Sequence, residues 1–203
     1  MDKNPKNSTT FAFIDGENLF KSFRAMGYKN VDYVKFYWWL KNKKKVQKVF
    51  LYVGLLDGDT QRKSKYAGLQ KLGYEMRVKP VQLYTGKILD VPCRCPECEH
   101  EFVIEHQMSN KSKANCDAEL TVDVTRMCMK GDCDEVIVFS GDGDFGYLYE
   151  FVVSQLKKKV QVYSPLKYPA SLNTSSRLKE LDLEGCINLY NLEAVAQHRA
   201  IMY

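Results

Sequence analysis

The sequence predicts an α/β fold, with a mainly parallel sheet covered by helices on both faces and one small cysteine-rich insertion. Three observations carry this expectation. Short runs rich in β-branched and aromatic residues alternate with segments whose apolar residues recur at helical spacing. Alternation of that kind builds parallel strands joined by crossover helices. Acidic residues follow two of the apolar runs, where parallel strands open onto a crevice for ligands.

The elements follow in order. Phe11–Asp15 is a short strand, and Glu17 to about Met26 an amphipathic helix ended by Gly27. Tyr33, Phe36, Tyr37 and Leu40, at helical spacing, predict a second helix from Val31 to about Lys43. Val46–Val53 is a strongly apolar strand. Asp59 can cap a helix running to Leu72, with Gly73 closing it. In Tyr74–Pro80 the charged Glu75, Arg77 and Lys79 alternate with apolar neighbours, which suggests a strand at a sheet edge. Then come a helix over Asp117–Met129, a strand over Glu135–Ser140 and a helix over Phe145–Lys157. A strand over Val160–Ser164, a helix over Tyr168–Leu178 and a last strand over Cys186–Tyr190 complete the pattern. One domain is expected over residues 11–194, after a polar, flexible segment 1–10 and before a tail 195–203. Residues 88–112 break the alternation and form the insertion.

Composition narrows the function classes. A hydrophobic fraction of 45% supports a core of adequate size for one domain. The net charge of +5 is modest, but the lysines cluster in Lys41–Lys45 and Lys157–Lys159, and Arg62, Lys63, Lys65 and Lys71 share one predicted helix. Such runs suit a polyanionic partner, and equally suit solvated helix ends. No stretch nears the ~20 apolar residues of a membrane span, and the N-terminus lacks a secretory h-region. Seven cysteines, an odd number, do not form a disulfide framework. A cytoplasmic chain with reduced thiols and no membrane partner is expected.

Carboxylates mark the candidate site. Asp15 ends the first strand, Asp117 opens a helix, and Asp142 and Asp144 follow the strand ending in Ser140. Each also has an ordinary use: Asp15-Gly16 and Asp142-Gly143 as turns, Asp117 as a helix cap. Together they would crowd one rim, where carboxylates repel one another unless a cation lies among them. That predicts a divalent-metal site and chemistry on phosphates. Asn18 could hold a phosphate or a metal-bound water, and Ser140 can donate to a neighbouring carboxylate. Rival chemistries lack their parts. Of the three histidines, two lie in the insertion and the third is His198, and there is no Gly-x-x-x-x-Gly-Lys-Ser/Thr loop.

These motifs together resemble the NYN domain family, a branch of the PIN-like nucleases. The resembling segments are Phe13-Ile14-Asp15-Gly16-Glu17-Asn18-Leu19, Lys113-Ala114-Asn115-Cys116-Asp117-Ala118-Glu119-Leu120 and Ser140-Gly141-Asp142-Gly143-Asp144-Phe145. The family has Asp-x-x-Asn, Lys-Gly-Asn-x-Asp-x-x-Leu and Ser-Gly-Asp-x-Asp-Phe in this order; Ala114 stands where it commonly has glycine. The resemblance implies a Rossmann-like three-layer αβα sandwich and metal-dependent ribonuclease activity. It implies Asp15, Asp117, Asp142 and Asp144 as catalytic, metal-ligating carboxylates for Mg²⁺ or Mn²⁺, directly or through water. Asn18, Lys113 and Ser140 become substrate-side or supporting contacts. Asp123 matches a frequent acidic position but falls on another helix face from Asp117. The expected partner is RNA, and PIN-like folds often pair, which is compatible with a homodimer. An RNA-binding module without turnover, or a nuclease acting on single-stranded or flapped DNA, are the alternatives.

The insertion holds Cys93, Cys95, Cys98, His100 and His106 around a Cys-Pro-x-Cys turn, the type of turn that faces two thiolates toward one ion. These five are candidate ligands for structural zinc. Free or redox-active thiols are the other reading.

Overall fold

A computed structural model describes residues 8–25, 31–109, 111–164 and 186–188. In chain order the elements begin with β1 (Thr10–Asp15), α1 (Gly16–Ala25), α2 (Tyr33–Asn42), β2 (Lys48–Leu55), α3 (Thr60–Leu72) and β3 (Tyr74–Pro80). Four strands then leave the main sheet: β4 (Gln82–Tyr84), β5 (Ile88–Arg94), β6 (Glu101–Gln107) and β7 (Lys111–Lys113). The chain returns through α4 (Asp117–Met129), β8 (Glu135–Phe139), α5 (Gly146–Ser154), β9 (Lys159–Ser164) and β10 (Cys186–Asn188).

The main sheet has the order β10-β9-β8-β1-β2-β3, and every neighbouring pair is parallel. From β1 the chain winds outward through β2 and β3, then returns to lay β8, β9 and β10 on the other side. The winding reverses between β1 and β8, which is the point where such sheets open a crevice. Successive side chains of a strand face opposite sides, and two cores result. Ala12, Ile14, Val49, Leu51 and Phe139 meet α1, α2 and α3 through Leu19, Phe23, Phe36, Leu40 and Leu69. Phe11, Phe13, Phe50, Val136 and Val138 meet α4 and α5 through Leu120, Val124, Leu148 and Val152. This is the three-layer sandwich, and it explains why the central strands are apolar throughout.

Local chemistry sets the helix ends. Asp32 accepts from the backbone N–H groups of Val34 and Lys35, so α2 starts later than its aromatic pattern suggested. Asp59 caps α3, accepting from Arg62 N–H at 2.9 Å. Gly73 ends α3 at φ 119°, a conformation costly for any residue with a Cβ. β2 runs two residues later than its apolar run, because Val46 is a buried loop residue and Gln47 instead accepts from Thr10 N–H through its side chain. The expected helix from Phe145 is split: a short 3-10 turn over Gly143–Phe145 precedes α5, which ends at Ser154. β3 is one of the two edge strands of this sheet, as its alternating charges predicted. The N-terminal segment joins the sheet at its end, since Thr9 C=O accepts from Asp134 and Glu135 N–H and β1 starts at Thr10. The expected helix over Tyr168–Leu178 and the tail 195–203 lie outside the described residues.

The insertion is an arm of two antiparallel ribbons. β4 pairs with β7, and farther out β5 pairs with β6. The arm leaves from the end of β3 and returns just before α4, so its base is at the carboxylate rim. No described helix is long and apolar enough to cross a membrane.

Candidate functional site

Asp15 is the last residue of β1, one step beyond the Ile14–Phe139 pairing, which sets it beside Ser140. Ser140 Oγ donates to Asp15 Oδ2 at 3.1 Å, and Asn18 N–H donates to Oδ1 at 3.0 Å. The Asn18 side chain reaches across the switch point, its Oδ1 accepting from Gly141 N–H at 2.9 Å. Ser140 Oγ also accepts from Asp142 N–H, and Asp142 Oδ1 accepts from Asp144 N–H. One hydrogen-bonded chain thus runs from the first loop to the last motif. Gly16 allows the tight fit here, because a Cβ would lie 2.7 Å from the Tyr52 carbonyl oxygen.

Asp117 stands in the first turn of α4, where backbone N–H groups favour a negative charge. Its own N–H is met by Asn115 Oδ1 at 3.0 Å. All four aspartates line one open cleft of about 650 Å³, together with Asn18. Ser140 is only 1% exposed and sits behind Asp15, so its hydroxyl orients that carboxylate. Lys113 closes β7, four residues before Asp117. Burial pushes the Asp15 carboxyl up to about 6; the bonds from Asn18 and Ser140 pull it down, and the charges of Asp117 and Glu17 add to the rise. Cys116 also lines the cleft, but burial raises its thiol to about 11, so it is a neutral group and no nucleophile near neutral pH.

Asp123 has a different place. Its side chain is 10% exposed and accepts from Arg77 Nε at 2.7 Å, Arg126 at 2.8 Å and the Tyr52 hydroxyl at 3.0 Å. These bonds tie α4 to β2 and β3, which fixes the direction in which Asp117 enters the cleft. Lys79 adds a second tie, reaching Glu119 at 2.7 Å and Asn115 C=O at 2.8 Å. Sequence alone placed Asp123 on another helix face from Asp117 and gave no sign of Arg77 and Tyr52, the two partners that lie 46 and 71 residues earlier.

The basic runs mostly lie elsewhere. Lys41–Lys45 precede β2 and Lys157–Lys159 lead into β9, at the opposite end of the strands. An eight-residue strand at about 3.3 Å per residue separates them from the rim by roughly 25 Å. Lys44 rests over the rings of Trp39 and Tyr163, and Lys158 pairs with Asp134. The polyanion reading of these two runs is therefore not supported by their position. The cleft wall carries Lys21 and the half-exposed Tyr84 instead, neither singled out by the sequence. Tyr84 arrives from β4, a three-residue strand too short to leave a pattern.

The comparisons agree with this fold. The NYN domain family model matches residues 9–182. The chain belongs to the NYN domain family. That places this NYN chain in the PIN-like superfamily, whose fold is that of nucleases. A crystal structure of a protein of unknown function, VPA0982 from Vibrio parahaemolyticus RIMD 2210633, is similar at a TM-score of 0.59 and 24% identity. The match covers 88% of this chain and 91% of that one, and it concerns the fold alone. Comparison with curated proteins gives no match.

Proposed function

We propose that the cleft hydrolyses phosphodiester bonds in RNA with Mg²⁺ or Mn²⁺ as cofactor. Asp15, Asp117, Asp142 and Asp144 are the ligands, directly or through water. The observation that supports this most is Asp15, a carboxylate raised to about 6 by burial and still held by two donors suited to its ionised form. A carboxylate kept in that position beside other acids is stabilised by a cation.

The donor set fits the ion. Its donors are carboxylate oxygens, which favour hard divalent cations. Among the described residues no three acidic, histidine or cysteine side chains form a closed ligand group. Mg²⁺ does not require one, since one or two carboxylates commonly hold it while water and phosphate oxygens fill the shell. A bound divalent ion supplies charge that neutralises the scissile phosphate and makes water more acidic.

The chain's own residues position and orient. Ser140 and Asn18 fix Asp15, and the Asp142–Asp144 turn fixes the last two carboxylates. Lys21 lines the cleft with its ammonium paired to Glu17 at 2.6 Å, and a phosphate would compete for it, while Tyr84 offers a ring on which a base can stack. Cleavage by attack of water leaves a 5′-phosphate and a 3′-hydroxyl.

The test is cleavage of a labelled single-stranded RNA with Mn²⁺ or Mg²⁺, comparing wild type and Asp142→Asn. The expected result is metal-dependent cutting that the variant loses by more than about a hundredfold, beyond the usual loss on removing an outer-shell partner. No cutting by wild type, with RNA still bound in EDTA, would replace the reading by that of a binding module. Cutting of single-stranded DNA but not RNA would replace the substrate.

A further inference from the structure

The outer ribbon of the arm has no core of its own. All seven residues of β6 are exposed, and in β5 only Cys93 is partly covered. Ile88 and Val103 are 60% and 62% exposed. An isolated two-stranded ribbon is marginally stable in water, so this one requires another source of order.

Its tip supplies a candidate. The β5–β6 register ends at Arg94 opposite Glu101. One step farther, Cys95 N–H donates to His100 C=O at 2.9 Å, which sets these two residues opposite each other. Because side chains alternate across a strand, Cys93, Cys95 and His100 belong to one face of the ribbon. Cys98 lies in the turn between. Glu99, at φ 59°, closes the turn through its N–H to Cys95 C=O at 3.0 Å.

We propose that the arm's tip binds one zinc ion through Cys93, Cys95, Cys98 and His100, with no part for His106. Three thiolates and one imidazole have the composition of a tetrahedral structural zinc set, although among the described residues their side chains are not gathered into one. The ion replaces the missing core, so that metal binding and folding of the tip are one event. Cys93 now turns its thiol toward Val91 C=O at 3.6 Å. Joining the set requires side-chain rotation, since the backbone already places it on the right face. His106 pairs with Leu89, four residues along the strand from the Cys93–Phe102 pair, or roughly 13 Å farther from the tip.

The experiment is zinc content and affinity of the full chain, by atomic emission and competition with a chromophoric chelator. It is run on wild type, Cys95→Ser, Cys98→Ser, His100→Ala and His106→Ala. Wild type is expected to carry about one zinc per chain. The two serine variants should bind at least about a hundredfold more weakly, His100→Ala at least about tenfold, and His106→Ala within about twofold. Failure of wild type to hold zinc or take it up at micromolar Zn²⁺ overturns the proposal. So does His106→Ala losing zinc while His100→Ala keeps it. If a variant misfolds, Co²⁺ substitution in wild type decides: tetrahedral bands with three thiolate ligands support the set, and a spectrum with two or fewer thiolates refutes it. None of these readouts depends on nuclease activity.

Discussion

Asp15→Asn should make the metal-free protein more stable while abolishing its activity. Burial, opposed only in part by hydrogen bonds, takes the Asp15 carboxyl from 3.8 to about 6. Each tenfold in proton affinity is worth about 1.4 kcal/mol, so ionised Asp15 disfavours the fold by roughly 3 kcal/mol at neutral pH. The folded chain holds the proton more tightly than the unfolded one. Its stability therefore falls as pH rises from about 4 to about 6 and is lowest above that window.

An amide removes the charge at nearly the same shape. Its oxygen can still accept from Asn18 N–H, and its NH₂ can donate to Ser140 Oγ once that hydroxyl turns. Allowing about 1 kcal/mol for the altered bonds, the variant gains about 2 kcal/mol at pH 7.5. In a domain of this size that raises Tm by about 5 °C. The assay is thermal unfolding in EDTA from pH 3.5 to 8, repeated with MnCl₂. The gain should vanish near pH 3.5, and Mn²⁺ should stabilise wild type far more than the variant. A variant less stable than wild type at pH 7.5 in EDTA, or equal stabilisation of both by Mn²⁺, would refute the reasoning.

Two further outcomes test the scaffold. Asp123→Ala should cost about 2–4 kcal/mol in urea unfolding, because it leaves the buried Tyr52 hydroxyl and two guanidinium groups without their acceptor; a change below about 0.5 kcal/mol would remove its role in fixing α4. Gly73→Ala should destabilise by more than about 1 kcal/mol, since its φ is 119° and the added Cβ would run into the Tyr37 hydroxyl; a neutral result in the same measurement would mean that the α3 end relaxes freely.

How much of this could be read along the chain depended on range. α3, β3 and α4 have the bounds the residues predicted, because Asp59, Gly73 and the charge alternation of Tyr74–Pro80 act within a few residues. The start of β2 and the split before α5 were missed. Both depend on what those residues meet in the sheet and the cleft, which a hydrophobic pattern does not record. The lysine runs left two readings open for the same reason: charge density is visible in a sequence, but not which end of a strand it occupies.

The candidate carboxylates were thus legible in short motifs of the sequence itself. Asp15 with Asn18, Asp117 at a helix start, and Asp142 with Asp144 each follow from local turn and cap geometry. That these segments share one cleft was decided only by the sheet order, which brings β1 beside β8 although 125 residues separate Asp15 from Ser140. Tertiary structure alone also buried Asp15 enough to raise its pKa, gave Asp123 its three partners and brought Tyr84 to the cleft wall. The physical reason is the same throughout. Propensity and capping act between near neighbours, whereas burial, electrostatic coupling and cleft shape depend on which distant segments the fold lays side by side.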